Sequence, residues 1–128
     1  MKITLAICGS ILAIACMAQE PAPASKTPVF LRCKCENDAI AESVATSLRD
    51  EFSTSPRYRL SAESEARFVI GIVSGQIVSP EPVSAMALVF VKTDGHRLVG
   101  HELILCTAGK VKWCAQMALA DFDDSISK

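Results

Sequence analysis

Apolar and polar positions alternate over residues 29–35, with Val29, Leu31, Cys33 and Cys35 on one side and Phe30, Arg32 and Lys34 on the other. That two-residue period is the mark of a half-buried strand. Asn37 and Asp38 then offer an N-cap, and Ile40, Val44, Leu48 and Phe52 recur every four residues beside Ala41 and Ala45. The pattern predicts an amphipathic helix that stops near Ser53 to Pro56. A short strand is expected around residues 58–60, and residues 61–66 read as a turn or a single helical turn. Three apolar runs follow at residues 67–79, 84–93 and 97–107. Pro80-Glu81-Pro82 cannot continue a ladder and breaks the first run from the second. Asp94-Gly95 breaks the second from the third as a two-residue hairpin turn, because both positions tolerate left-handed backbone.

Pairing across that turn sets Lys92 beside Arg97, Phe90 beside Val99 and Ala87 beside Glu102. One hairpin face then carries Met86, Leu88, Phe90, Val99, Leu103 and Leu105; the other carries Ala85, Ala87, Val89, Gly100 and Ile104. Small residues let a helix approach closely, which puts the helices on the second face and leaves the first as a candidate partner surface. A last helix is expected over residues 112–125, with Trp113, Met117, Leu119 and Ala120 in helical spacing. Its acidic end, Asp121, Asp123 and Asp124, opposes the helix dipole and predicts fraying.

The element order is strand, helix, short strand, three long strands, helix. The first strand-helix-strand unit forces a crossover, while the later strands can form a meander. The fold class is therefore α+β: a two-layer sandwich with one mixed, mostly antiparallel sheet of four to five strands and two helices on one face. The helix at residues 41–52, then Tyr58-Arg59-Leu60, then Glu65-Ala66-Arg67-Phe68-Val69-Ile70-Gly71 and the Asp94-Gly95 turn together resemble the small α/β envelope domain of TolB N-terminal type and of related outer-membrane assembly lipoproteins. The resemblance spans most of residues 29–120. It implies an envelope binding or assembly domain without catalysis; no functional residue is carried over, and the cysteines are not part of the pattern.

The start of the chain sets the expected compartment. Lys2 precedes an uncharged apolar stretch at residues 3–18 that includes Leu5, Ile7, Ile11, Leu12 and Ile14, and Ala18-Gln19 suits cleavage. This reads as a signal peptide, residues 1–18, too short to span a bilayer. Leu12-Ala13-Ile14-Ala15-Cys16 also resembles a lipobox, so Cys16 is a candidate lipidation site and the only expected tie to a membrane. Residues 19–28, rich in Ala, Pro, Ser and Thr, read as a tether, and residues 29–128 as a single domain. Localisation is expected to be periplasmic or secreted, or outer-membrane if Cys16 carries lipid.

Loss of residues 1–18 leaves 12 Lys and Arg against 14 Asp and Glu. No basic field exists to hold nucleic acid. Four cysteines remain, Cys33, Cys35, Cys106 and Cys114, an even number that favours disulfides in an exported chain. Cys106 with Cys114 is the preferred pair, since a short loop joins them. Cys33 with Cys35 is the least favoured because the ring is small, and cross-pairing stays open. A metal- or redox-handling role for Cys33 and Cys35 is the alternative to a binding domain. No cofactor is expected. Only His96 and His101 could serve as imidazole bases, and Gly71-Ile72-Val73-Ser74-Gly75 misplaces its serine for a nucleophile elbow. Thr107-Ala108-Gly109-Lys110 lacks the upstream glycine of a P-loop, and Asp121-Phe122-Asp123-Asp124 lacks the glycine of a calcium loop. The sequence therefore points to a non-enzymatic protein whose partner is an unknown envelope protein or a second copy.

Overall fold

The computed structural model describes residues 25–78 and 80–128. Residues 1–18, read as a signal peptide, and Cys16 within them lie outside the described residues. Strand β1, Thr27–Lys34, opens inside the stretch read as tether; its Thr27 N–H donates to Arg57 O. Helix α1, Ala39–Thr54, is capped by Asp38, whose carboxylate accepts from Ala41 N at 3.0 Å. Then come β2, Tyr58–Leu60, and the three long strands β3, Phe68–Val78, β4, Pro82–Lys92, and β5, Arg97–Thr107. Helix α2, Val111–Ile126, closes the chain.

The strands form one mixed sheet in the order β2-β1-β3-β4-β5. β1 runs parallel to both β2 and β3, and β3, β4 and β5 are antiparallel neighbours. Both helices lie on one face. The result is the α+β two-layer architecture expected from the element order.

Between sheet and helices sits one core. α1 contributes Ile40, Ala41, Val44, Ala45, Leu48 and Phe52, the stripe read from its four-residue period. α2 contributes Cys114, Ala115, Ala118 and Phe122, not Trp113 or Ala120, which are exposed. The helix is rotated from the expected phase because Cys114 is bonded to Cys106 on β5 and must face the sheet. Phe122 is the centre of the aromatic packing, with ring centroids 5.4–5.7 Å from those of Phe52, Tyr58, Phe68 and Phe90. These contacts, edge-on except for the tilted Tyr58 pair, add to the area buried.

The acidic end of α2 is tied down, contrary to the expected fraying. Asp123 accepts from the Tyr58 hydroxyl and from Arg57 Nη1, and Lys128 pairs with Asp124 at 3.2 Å. These partners outweigh an unfavourable dipole term that is worth only about 0.3–1 kcal/mol.

The β4–β5 register departs from the expectation in one place, and that place decides both faces. Lys92 pairs with Arg97 as expected and Val91 with Leu98, but Phe90 pairs with Gly100, so Val99 is the extra residue of a β-bulge. One extra residue turns every later side chain of β5 to the opposite face. Met86, Leu88 and Phe90 therefore share the helix-covered face with Ile104 and Cys106, all at most 3% exposed. Leu103 and Leu105 instead join Ala85 and Ala87 on the face without helices. The connection is also longer than a two-residue turn: it runs from Thr93 to His96, with Gly95 at φ 75° and His96 at φ 49°.

Candidate functional site

Two features carry chemistry that the core does not need: the helix-free face of the sheet and the Cys33–Cys35 pair. The face is built row by row from strand register. Leu103 lies beside Ala87 and Val73, Leu105 beside Ala85 and Gly75, and Val83 beside Ile77. Leu103 is 72% exposed, Leu105 63%, Ile77 57% and Val73 54%. Four large apolar side chains thus stand in water around small residues, a contiguous surface rather than scattered ones. Arg32 and Lys34 of β1 and His101 of β5 rim it, His101 beside Val89. His101 is exposed, as is His96 in the turn.

The surface proposed from sequence is corrected accordingly. Met86, Leu88 and Phe90 are buried under the helices at 0–1% exposure, and Val99 packs against the core from the bulge. Only Leu103 and Leu105 of that set face solvent. Sequence reasoning missed Val73 and Ile77, whose place on odd positions of β3 was readable from alternation once β3 was paired.

The two edges of the sheet differ. β2 is three residues long, a length that offers little for another chain to pair with. β5 is eleven residues long, contains neither proline nor lysine, and has no strand on its outer side among the described residues. Its one inward-pointing ionisable residue is Glu102. Burial first, then a hydrogen bond and the charge of Asp121 on α2, push the Glu102 carboxyl up to about 8.

The structure bonds Cys106 to Cys114 and Cys33 to Cys35. The second pairing is the one the sequence disfavoured. In an extended strand, residues two apart stand about 6.6 Å from each other; here the Cα atoms are 5.4 Å apart because the chain turns at once into Glu36-Asn37. Asn37 takes a left-handed φ of 60°, and Asp38 N donates to Cys35 O at 3.1 Å. Asp38 is itself buried; burial pushes its pKa up, but the Ser84 hydroxyl at 2.6 Å and backbone N–H donors outweigh it and hold the carboxyl below its ordinary value. β3 and β4 separate β1 from β5, which keeps Cys33 away from Cys106. Cys33 is partly exposed and Cys35 is buried, at the floor of a cleft of about 380 Å³ lined by Glu36, Glu42, Ala45, Thr46 and Arg49.

Among the described residues, no three His, Cys, Asp or Glu side chains converge as a metal site. No helix there is long and apolar enough to cross a membrane.

No protein-family model matches this sequence, and no curated protein does. Solved structures do match the fold. TolB from Acinetobacter baumannii superposes with a TM-score of 0.62 at 10% identity over 82% of this chain. The fold resembles that of TolB. The chain spans only 29% of that TolB's length. A PelC dodecamer from Paraburkholderia phytofirmans, the L103M form, matches at TM-score 0.55 and 13% identity, covering 80% of this chain and 91% of that one. A second PelC dodecamer crystal form from the same organism matches at 0.51 and 16%, covering 82% and 92%. The resemblance read from the helix and strand segments at residues 41–71 is thus present at the level of the fold.

Proposed function

We propose that this chain is an exported, non-catalytic binding or assembly domain of the bacterial cell envelope, which associates with a second copy of itself through the helix-free sheet face and the β5 edge. The observation that carries the reading is the face itself: Leu103, Leu105, Val73 and Ile77 stand exposed together beside an eleven-residue edge strand with no strand on its outer side among the described residues. Antiparallel addition of a second β5 is compatible with a two-fold axis. It would satisfy the backbone groups of both edges and place Leu103 and Leu105 of the two copies on one continuous face. Support of a weaker kind comes from the fold, shared with TolB and with a PelC that crystallised as a dodecamer.

Sedimentation of residues 25–128 over a range of concentrations tests it. The wild type is expected to self-associate, and Leu103→Asp with Leu105→Asp is expected to give a folded monomer, because both side chains are more than half exposed and a carboxylate there costs the fold little. A wild type that stays monomeric at millimolar concentration would refute the reading.

A further inference from the structure

We propose that the Cys33–Cys35 disulfide is a thiol–disulfide exchange site for a dithiol peptide presented in extended conformation. The bond staples no part of the fold to another. It closes a ring within the end of β1 and its following turn, at a sequence separation of 2, and joins no two elements. Cys106–Cys114, by contrast, ties β5 to α2 and is buried at both ends, at 1% and 0% exposure. One disulfide is a staple; the other has no such role.

The two sulfurs differ in access. Cys33 is partly open to the cleft beside α1, whereas Cys35 is only 3% exposed. An incoming thiolate therefore meets Cys33 Sγ, and Cys35 is the leaving sulfur. Arg49 lines the cleft with Glu36 and Glu42, so the cleft has no single sign of charge.

The backbone beside the bond is unpaired by any strand on one side among the described residues. β2 pairs with β1 only as far as Val29 opposite Leu60. Thr27 N donates to Arg57 O and Val29 O accepts from Ser61 N, so the odd-numbered residues of β1 aim their backbone groups toward β2. By alternation Leu31 and Cys33 do the same, where no strand pairs with them among the described residues. An extended peptide adding there would carry a cysteine alongside Cys33.

The step balances without another reagent. A peptide thiolate attacks Cys33 Sγ, the Cys33–Cys35 bond breaks, and its electron pair leaves on Cys35 Sγ, which takes a proton from water. A second peptide thiol, deprotonated, attacks the peptide sulfur of the mixed disulfide and releases Cys33 as thiolate. The peptide has become a disulfide, losing two electrons and two protons, and Cys33 and Cys35 hold the electrons as a dithiol.

Titration of the native protein with reduced glutathione, followed by alkylation and peptide mass mapping, tests the site. Cys33 and Cys35 are expected to label while Cys106 and Cys114 remain bonded, since Cys33 is partly exposed whereas both sulfurs of the second bond belong to residues at most 1% exposed. Circular dichroism should be unchanged at that point. Oxidised glutathione should form a mixed disulfide on Cys33 in Cys35→Ser at least tenfold faster than on Cys35 in Cys33→Ser. Simultaneous opening of both bonds, loss of the fold when only Cys33–Cys35 is reduced, or equal rates in the two variants would overturn the proposal.

Discussion

Replacing Gly100 by alanine tests how closely α2 is seated on β5. A methyl group at Gly100 would lie 2.7 Å from Ser125 Cβ and 3.0 Å from Phe90 Cδ2, and against Ser125 Oγ as well. The hydroxyl can rotate away. The Ser125 Cβ cannot, because it is fixed to the backbone of α2, and Phe90 is fully buried in the core. Overpacking of this kind costs about 1–3 kcal/mol, and each kcal/mol lowers the melting temperature of a domain of this size by about 4–8 °C. The informative experiment is a double-mutant cycle with Ser125→Gly, which removes both Ser125 atoms from the clash. Ser125→Gly alone should cost up to about 1 kcal/mol, as glycine does in a helix. In that background Gly100→Ala should lose most of its effect, giving a coupling of about 1 kcal/mol or more. Urea unfolding of the four proteins supplies the numbers. A neutral Gly100→Ala, or the same cost with and without Ser125, would refute close seating of α2 as the reason for glycine here.

Two further outcomes follow from the half-buried Glu102 and the staple. The Glu102 carboxyl, raised to about 8 from its ordinary value of 4.5, binds a proton in the folded chain that the unfolded chain has released across that interval. Stability should therefore fall as pH rises from about 5 to 8 and level off above, and Glu102→Gln should flatten that slope in urea midpoints measured at both ends of the window. Cys106→Ala with Cys114→Ala should cost about 2.6 kcal/mol by the chain-entropy account, against about 1.6 kcal/mol at most for the same change at Cys33 and Cys35. The reverse order in calorimetry would show that the shorter ring is the structural one.

Where a local period or a local cap decides an element, the sequence was readable. Asp38 and the Ile40, Val44, Leu48, Phe52 stripe specify α1 with no help from the rest of the fold, and the alternation at residues 29–35 specifies β1. The sheet's element order followed from the same signals. What failed was each feature settled by contact between distant segments. The bulge at Val99 has no local signature in Leu98-Val99-Gly100; it exists because Gly100 must lie under Phe90 and Ser125 while Lys92 and Arg97 close the turn. A single residue of slip then exchanged Leu103 and Leu105 for Ile104 and Cys106, and with them half of the expected partner surface. The phase of α2 failed for a related reason, since Cys114 is turned inward by a bond to another strand. Even the argument that small residues mark the helix side held for Gly100 and misled for Ala85 and Ala87, which line the exposed face.

The parallel placement of β1 between β2 and β3 bears on the order in which the chain can fold. β3, β4 and β5 are joined by short connections and can zip as neighbouring hairpins, a process governed by local loop closure. β1 is made first and must wait: Val29 pairs with Phe68 across the whole of α1 and β2, and its other side is filled by Tyr58 to Leu60. A chain emerging from its N-terminus onward therefore carries Val29 and Leu31 unburied until β3 arrives. That interval, rather than the finished domain, is where aggregation or capture by a chaperone would act. Anything that slows the arrival of residues 68–73 lengthens it.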